Sequence, residues 1–150
     1  MRLLAAAFLI ASACAPYARA DWNYTKWGMT PEQVADASKG LVKVAPVVGR
    51  YRNEDDHWEI AAQGTYIADT LNLDVGFSFD LRTGGLKCVL YNATGQQVGV
   101  LKDMIIRDHG PPAKDSSFGG ARSLTWTTPD RIEFVIGQKP LAAAVTHCAP

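Results

Sequence analysis

Cysteine is scarce in this chain, with three residues in 150, and histidine is no commoner. So few cysteines exclude a disulfide-dense scaffold, and no C-x-x-C pair is present to hold a structural zinc or run thiol exchange. An excess of charge of one sign is missing too. Fifteen Lys and Arg stand against fifteen Asp and Glu, which leaves no electrostatic footprint for nucleic acid or anionic lipid. The glycine-rich phosphate loop, the dinucleotide fingerprint, G-x-S-x-G and H-E-x-x-H are all lacking, so no cofactor, metal or catalytic residue is assigned. Long apolar runs are confined to Leu3–Ala13, eleven residues, too few to span a bilayer as a helix. No transmembrane segment is expected in the mature chain.

What is present begins with a leader. Arg2 supplies a positive n-region, Leu3–Ala13 the apolar h-region, and Ala18-Arg19-Ala20 a small-residue cleavage site after Pro16. Residues 1–20 are therefore expected to be a cleaved secretory signal peptide, with cleavage between Ala20 and Asp21. A competing reading takes Ala11-Ser12-Ala13-Cys14 as a lipid-attachment box, although Ala11 stands where such boxes usually carry Leu. Residues 21–150 then form one domain, periplasmic or secreted, with 13 basic and 15 acidic residues. Cys88 and Cys148 are its only cysteines, in a compartment that permits their disulfide.

The strongest local signal in the domain is Trp27-Gly28-Met29-Thr30-Pro31-Glu32-Gln33-Val34. Thr30 can cap a helix that opens on Pro31, Gln33 can close a capping box, and Met29 with Val34 can form a hydrophobic staple. The helix should run to about Lys39, ahead of Gly40. Thr94-Gly95-Gln96-Gln97-Val98 repeats Thr, Gln and Val at the same offsets and predicts a second helix over about Gly95–His109, ended by Gly110-Pro111-Pro112. Leu41–Asp56 reads as a long loop with room for a short edge strand at Leu41–Ala45. Trp58, Ile60, Ala62 and Tyr66 alternate on one strand face. Leu71 to Leu81 alternate more cleanly, and after Gly84-Gly85 so do Leu86, Cys88 and Leu90. Lys114–Gly120 reads as a loop, followed by strands at Ser123–Thr127, Arg131–Ile136 and Leu141–His147. The expectation is an α+β fold of two helix-plus-three-strand repeats, a mostly antiparallel sheet with helices packed on one face.

Candidate chemistry is thin. Glu54-Asp55-Asp56-His57 is the one dense cluster of possible ligands, but consecutive residues do not converge on an ion without a wrapping loop, and no second His lies at ligand spacing. It reads as a solvated turn. His109 falls in the last helical turn, where an imidazolium suits the dipole. His147 and Cys148, neighbours in a strand, must point to opposite faces. Trp27 is expected to pack over the helix start, whereas Trp22 and Tyr24, near the mature terminus, are the better contact residues for a partner.

The W-G-M-T-P-x-Q-V start, the F-x-F-D strand at Phe77–Asp80, the return through Gly84 or Gly85, Leu86 and Val89, and the helix-ending H-G-P resemble a broad set of small exported bacterial proteins. That set is similar in pattern to the β-lactamase inhibitor protein and to the small lipoproteins of outer-membrane assembly. The resemblance covers Trp27 to about Pro112 and implies an exported binding protein, without transferring any binding residue. The expected function is non-enzymatic binding of another exported or envelope protein, an inhibitor of a hydrolase being the sharpest version. The alternatives are a small hydrolase using His57 with Asp55 or Asp56, and a structural envelope protein.

If the leader is read correctly, intact-mass analysis of exported protein will find a chain beginning at Asp21. A species beginning at Cys14 with added acyl mass would show the lipoprotein reading instead.

Overall fold

The computed structural model describes residues 21–150 apart from Asp69; the expected leader, and Ala20 with it, lie outside the described residues. Among the described residues two helices, α1 (Pro31–Ala37) and α2 (Gln97–His109), accompany nine strands. The first five are β1 (Val42–Val44), β2 (Arg52–Asn53), β3 (Trp58–Ala68), β4 (Leu71–Asp80) and β5 (Leu86–Thr94). After α2 come β6 (Lys114–Phe118), β7 (Ala121–Trp126), β8 (Arg131–Gln138) and β9 (Leu141–Cys148). All pairings are antiparallel, in the order β1-β3-β4-β5-β9-β8-β7-β6, with β2 paired to β3.

This corrects the expected α+β architecture. Nine strands against helices of seven and thirteen residues make a β-rich fold, not a sheet clad on one face by helical repeats. The letter repeat that suggested two equivalent halves fails at its second copy. Thr94 is the last residue of β5, and α2 has Gln96 at its N-cap with no side-chain hydrogen bond. Three matching letters did not reproduce the cap because Thr94 is still held extended, opposite Ala142 of β9. Lys114–Phe118, read as a loop for its small and polar residues, pairs with β7 as the outermost strand, where both faces are wet and no alternation is required.

The first helix forms as its sequence predicts. Gln33 N–H donates to Thr30 Oγ1 at 3.3 Å, Thr30 N–H donates to Gln33 Oε1 at 2.9 Å, and Val34 is fully buried. The helix stops at Ser38, whose hydroxyl donates to the Ala35 carbonyl and accepts from Val42 N–H, leading the chain directly into β1. Glycine is required where β1 crosses β3. A Cβ on Gly64 would come within 2.1 Å of the Leu41 carbonyl oxygen, so any side chain would push the edge strand away.

The core sits on one face of the sheet. Leu71, Leu73, Val75, Phe77 and Phe79 of β4 point into it, joined by Val89 and Tyr91 of β5, Val145 of β9, Phe134 of β8 and Leu124 of β7. Val98, Leu101 and Ile105 of α2 close over β4, β5 and β9. The Gly110 carbonyl that ends this helix accepts a hydrogen bond from the Trp126 indole at 2.9 Å. Trp22 is a core residue, 6% exposed, with its ring against Tyr24, Tyr66, Phe77 and Tyr91. Nearness to the chain terminus had suggested a surface contact. An indole of this size gains more by burial against four aromatic rings, and Tyr24 is drawn half-way in with it.

Cys88 and Cys148 are direct register partners across β5 and β9, with their sulfurs at bonding distance. Cys88 does not share a face with Leu86 as its spacing suggested. A register shift places Leu86 opposite Phe79 and Cys88 opposite Ser78, so the two lie on opposite faces. Cys148 faces the same outer side, opposite to His147 and Val145, as strand alternation requires. The bond closes a separation of 60 residues. Replacing both cysteines by Ser should lower the unfolding free energy by up to about 4 kcal/mol on the chain-entropy model. A chemical melt of the double variant against the oxidised protein measures it, and an unchanged midpoint would remove the bond from the stability account.

Candidate functional site: the outer sheet face

The face of the sheet opposite the core carries Asn72, Asp74, Gly76, Ser78 and Asp80 of β4, the polar half of a strand alternation. It should be uniformly wet, and it is not. A bulge between Ile60 and Ala62 buries both Ala61 and Ala62, so the alternation of β3 changes phase there. Trp58 and Ile60 therefore stand opposite Asp80 and Ser78 on the outer face, while Ala62 and Tyr66 stay on the core side. The four were expected to share one face. The second register shift, in β5, puts Cys88 and Leu90 outside as well.

The two irregularities together build an apolar strip on a polar sheet. It begins at Tyr51, 62% exposed with its ring 5.4 Å from that of Trp58, and continues through Ile60 to Leu90. Three depressions follow it across the face. One of about 670 Å³ lies over Gly76 between Ile60 and Leu90, where a glycine leaves the floor low. The next, about 370 Å³, is bounded by Trp58, Ser78, Cys88, Leu90 and Thr146. The third, about 290 Å³, runs from Thr146 and Cys148 to Thr125 and Glu133. Leu90 borders the first two and Thr146 the last two, so they form one shallow trough across the strands.

A loop closed by Arg50 leads into the strip at Tyr51. Arg50 donates from Nε and Nη2 to the Ala45 carbonyl, at 3.0 and 2.9 Å, and from Nη1 to Glu59 Oε1 at 2.7 Å. Arg52 Nε donates to the other Glu59 oxygen at 2.8 Å. Burial would push the Glu59 carboxyl up, but hydrogen bonds from Arg52 and Arg50 and their charges hold it below the usual carboxylate range. The segment between Ala45 and Arg50 is thus closed into a ring and presents Val47 and Val48 at 67% and 92% exposure.

The acidic cluster flagged in the sequence is the turn of the β2–β3 hairpin. Glu54, Asp55, Asp56 and His57 are all exposed, and the turn is held by Asn53 and Asp56 hydrogen-bonding to each other. Asp56 borders the second depression beside Trp58, but among the described residues no hydrogen bond joins His57 to Asp55 or Asp56. Among the described residues no group of three or more acidic, His or Cys side chains is placed to hold a metal ion.

Sequence reading missed the buried polar cluster on the core side. His147 Nε2 lies 2.7 Å from Asp130 Oδ2, and both side chains are almost completely enclosed. Trp27 Nε1 donates to the other Asp130 oxygen at 3.2 Å, with its ring 5.6 Å from His147. His109 meets His147 edge to face at 5.3 Å. Asp130 precedes β8, His147 lies in β9 and Trp27 precedes α1, so no spacing in the sequence could have joined them. The cluster ties the segment before α1 to the far half of the sheet.

No protein-family model, curated protein or solved structure matches the chain, and its function is argued from this geometry.

Burial pushes the His147 imidazole below its ordinary range. The hydrogen bond and charge of Asp130 only partly reverse this, and His109 adds to the depression. A histidine held neutral in the fold but free to protonate when unfolded makes the unfolded chain bind more protons as pH falls below about 6.5. Its contribution to stability is complete above that pH and is lost on acidification through the folded pKa. Urea melts at about pH 7.5 and about pH 5.5 should show the midpoint falling, a window in which carboxylates of ordinary pKa stay ionised. His147→Gln, which keeps an N–H for Asp130, should flatten that dependence.

Proposed function

We propose that this is an exported, non-enzymatic binding protein that docks another exported or envelope protein on its outer sheet face. The observation that carries the reading is the apolar strip Tyr51–Trp58–Ile60–Leu90. The bulge in β3 turns Trp58 and Ile60 to the face opposite Ala62 and Tyr66, and the one in β5 turns Leu90 to the face opposite Leu86, whereas a merely solvated sheet would carry polar residues there. Exposed apolar area bordered by polar side chains is the usual form of a protein contact surface. The clamped loop with Val47 and Val48 supports the same reading, because a preorganised apolar protrusion loses little entropy when it enters a partner's cleft. The resemblance to the β-lactamase inhibitor protein agrees with it and makes an inhibitor of an exported hydrolase the sharpest candidate. Trp22, being core, supports the fold and contributes no contact; Tyr24 stays half-exposed and lies away from the strip.

A photo-activatable cross-linker placed at Gln63, exposed on the outer face, should capture a partner in envelope extract, and one placed at Glu32 on α1 should not. Ile60→Lys should abolish the Gln63 adduct while leaving the thermal melt within about 1–2 °C, since the residue is only half-buried. Equal capture from both positions, or an adduct indifferent to Ile60→Lys, would refute the outer face as the docking surface.

A further inference from the structure

The sheet ends at β6, which pairs with β7 on one side; among the described strands nothing pairs with it on the other. The opposite end is closed differently, because β1 has only three residues there and carries α1 against it. The register of β6 against β7 runs unbroken from Lys114 with Thr125 to Phe118 with Ala121. No proline interrupts it, and every residue but Ser116 is exposed. Such an edge is a row of open backbone donors and acceptors, the template on which a further strand adds.

Side chains decide which strand fits. Asp115 stands opposite the core residue Leu124, so Asp115 and Ser117 lie on the core side and Lys114, Ser116 and Phe118 on the outer face. A second copy of β6, running antiparallel, meets this order in reverse. With Ser116 on the two-fold axis all five residues pair: Lys114 faces Phe118, Asp115 faces Ser117, and Ser116 faces itself. The lysine stem and its ammonium then cover a ring that is 58% exposed in the single copy. Each Asp115 keeps the guanidinium that already holds it, Arg122 Nε donating to Oδ1 at 2.9 Å. Other registers are poorer. An axis at Asp115 sets two carboxylates face to face, one at Lys114 two ammonium groups, and one at Ser117 leaves Lys114 and Asp115 outside the β6 pairing. A slip of one residue turns the outer face of one copy over.

We propose that β6 is a dimer edge, on which two copies of this chain join by antiparallel β6–β6 pairing with Ser116 on the two-fold axis. The contact is isologous, so it closes at two copies and does not propagate. So short a strand buries little area, and the dimer is weak, with a dissociation constant on the order of 0.1 mM. Residues directly opposed in a sheet share a face. Both outer faces therefore emerge on the same side of one continuous sheet. If the outer face docks a partner, the dimer presents two such strips to one target and gains avidity. The pairing itself does not rest on that reading.

Cysteine placed on the edge of the purified, oxidised protein tests the register. Opposed Cα atoms lie about 4.5–5.5 Å apart, within reach of a disulfide, whereas the two copies of Ser117 are diagonal neighbours about 7–8 Å apart and beyond it. At about 0.2 mM in a glutathione redox buffer, Ser116→Cys should form an intermolecular disulfide at least about tenfold faster than Ser117→Cys. Phe118→Lys, at a position exposed in the single copy, sets two cations face to face. It should slow the Ser116→Cys linkage about tenfold while circular dichroism stays unchanged, and adding Lys114→Glu should restore the rate. Linkage of Ser117→Cys as fast as that of Ser116→Cys would overturn the dimer edge. So would a Ser116→Cys protein that stays monomeric, or a linkage indifferent to Phe118→Lys. None of these measurements involves capture at Gln63, so their failure leaves the outer-face reading standing.

Discussion

The pairing of β5 with β9 is the constraint on which the structure depends. Seven register pairs, from Cys88 with Cys148 to Thr94 with Ala142, join a meander built before α2 to one built after it. Without that seam there are two small sheets, each with an apolar face and too little to cover it; with it there is one core under nine strands. The packing of α2 follows from it, because the helix closes over β4, β5 and β9 and so spans the seam. The hydrogen bond from Trp126 to the Gly110 carbonyl and the Trp27–Asp130–His147 cluster then bind elements from opposite sides of it.

Much of the local structure could be read from the chain, and most of its phase could not. The capping box at Thr30 and Gln33 is a local device whose partners are three residues apart, and it formed as its spacing required. The alternation of Leu71 to Phe79 is likewise a one-strand property. Failures came where one residue's placement depends on a distant one. Bulges at Ile60/Ala62 and beside Cys88 are settled by the neighbouring strands, and each reverses every side chain beyond it, which moved Trp58, Ile60 and Leu90 to the face where they matter. Trp22 looked terminal, yet its burial is decided by Tyr66, Phe77 and Tyr91. The pairing of the two cysteines was legible by elimination; that they sit on the outer face was not.

The two faces of the sheet divide the chemistry. The core side holds the buried charge of the molecule, organised around Asp130 and satisfied on both oxygens, as burial in a low dielectric demands. The outer side holds its surplus of exposed apolar surface, arranged along the bulged strands and ended by the loop that Arg50 closes. Carboxylate and arginine recur at the boundary in the Arg50–Glu59–Arg52 group, where Glu59 sits on the core side opposite Phe79. Its charge is matched by two guanidinium groups before any partner arrives.

The place of β9 in the sheet also sets an order in time. Among the described strands it comes last in sequence, yet it lies between β5 and β8 and not at an edge. Until Leu141–Cys148 has been made, the long edges of β5 and β8 have nothing to pair with, and each offers an open template to other chains. The closing contacts are also far apart in sequence, 60 residues at the cysteines, so they form late and slowly compared with the local hairpins. A chain of this topology stays unfinished while it is being synthesised, with two sheet edges open until its last strand is in place.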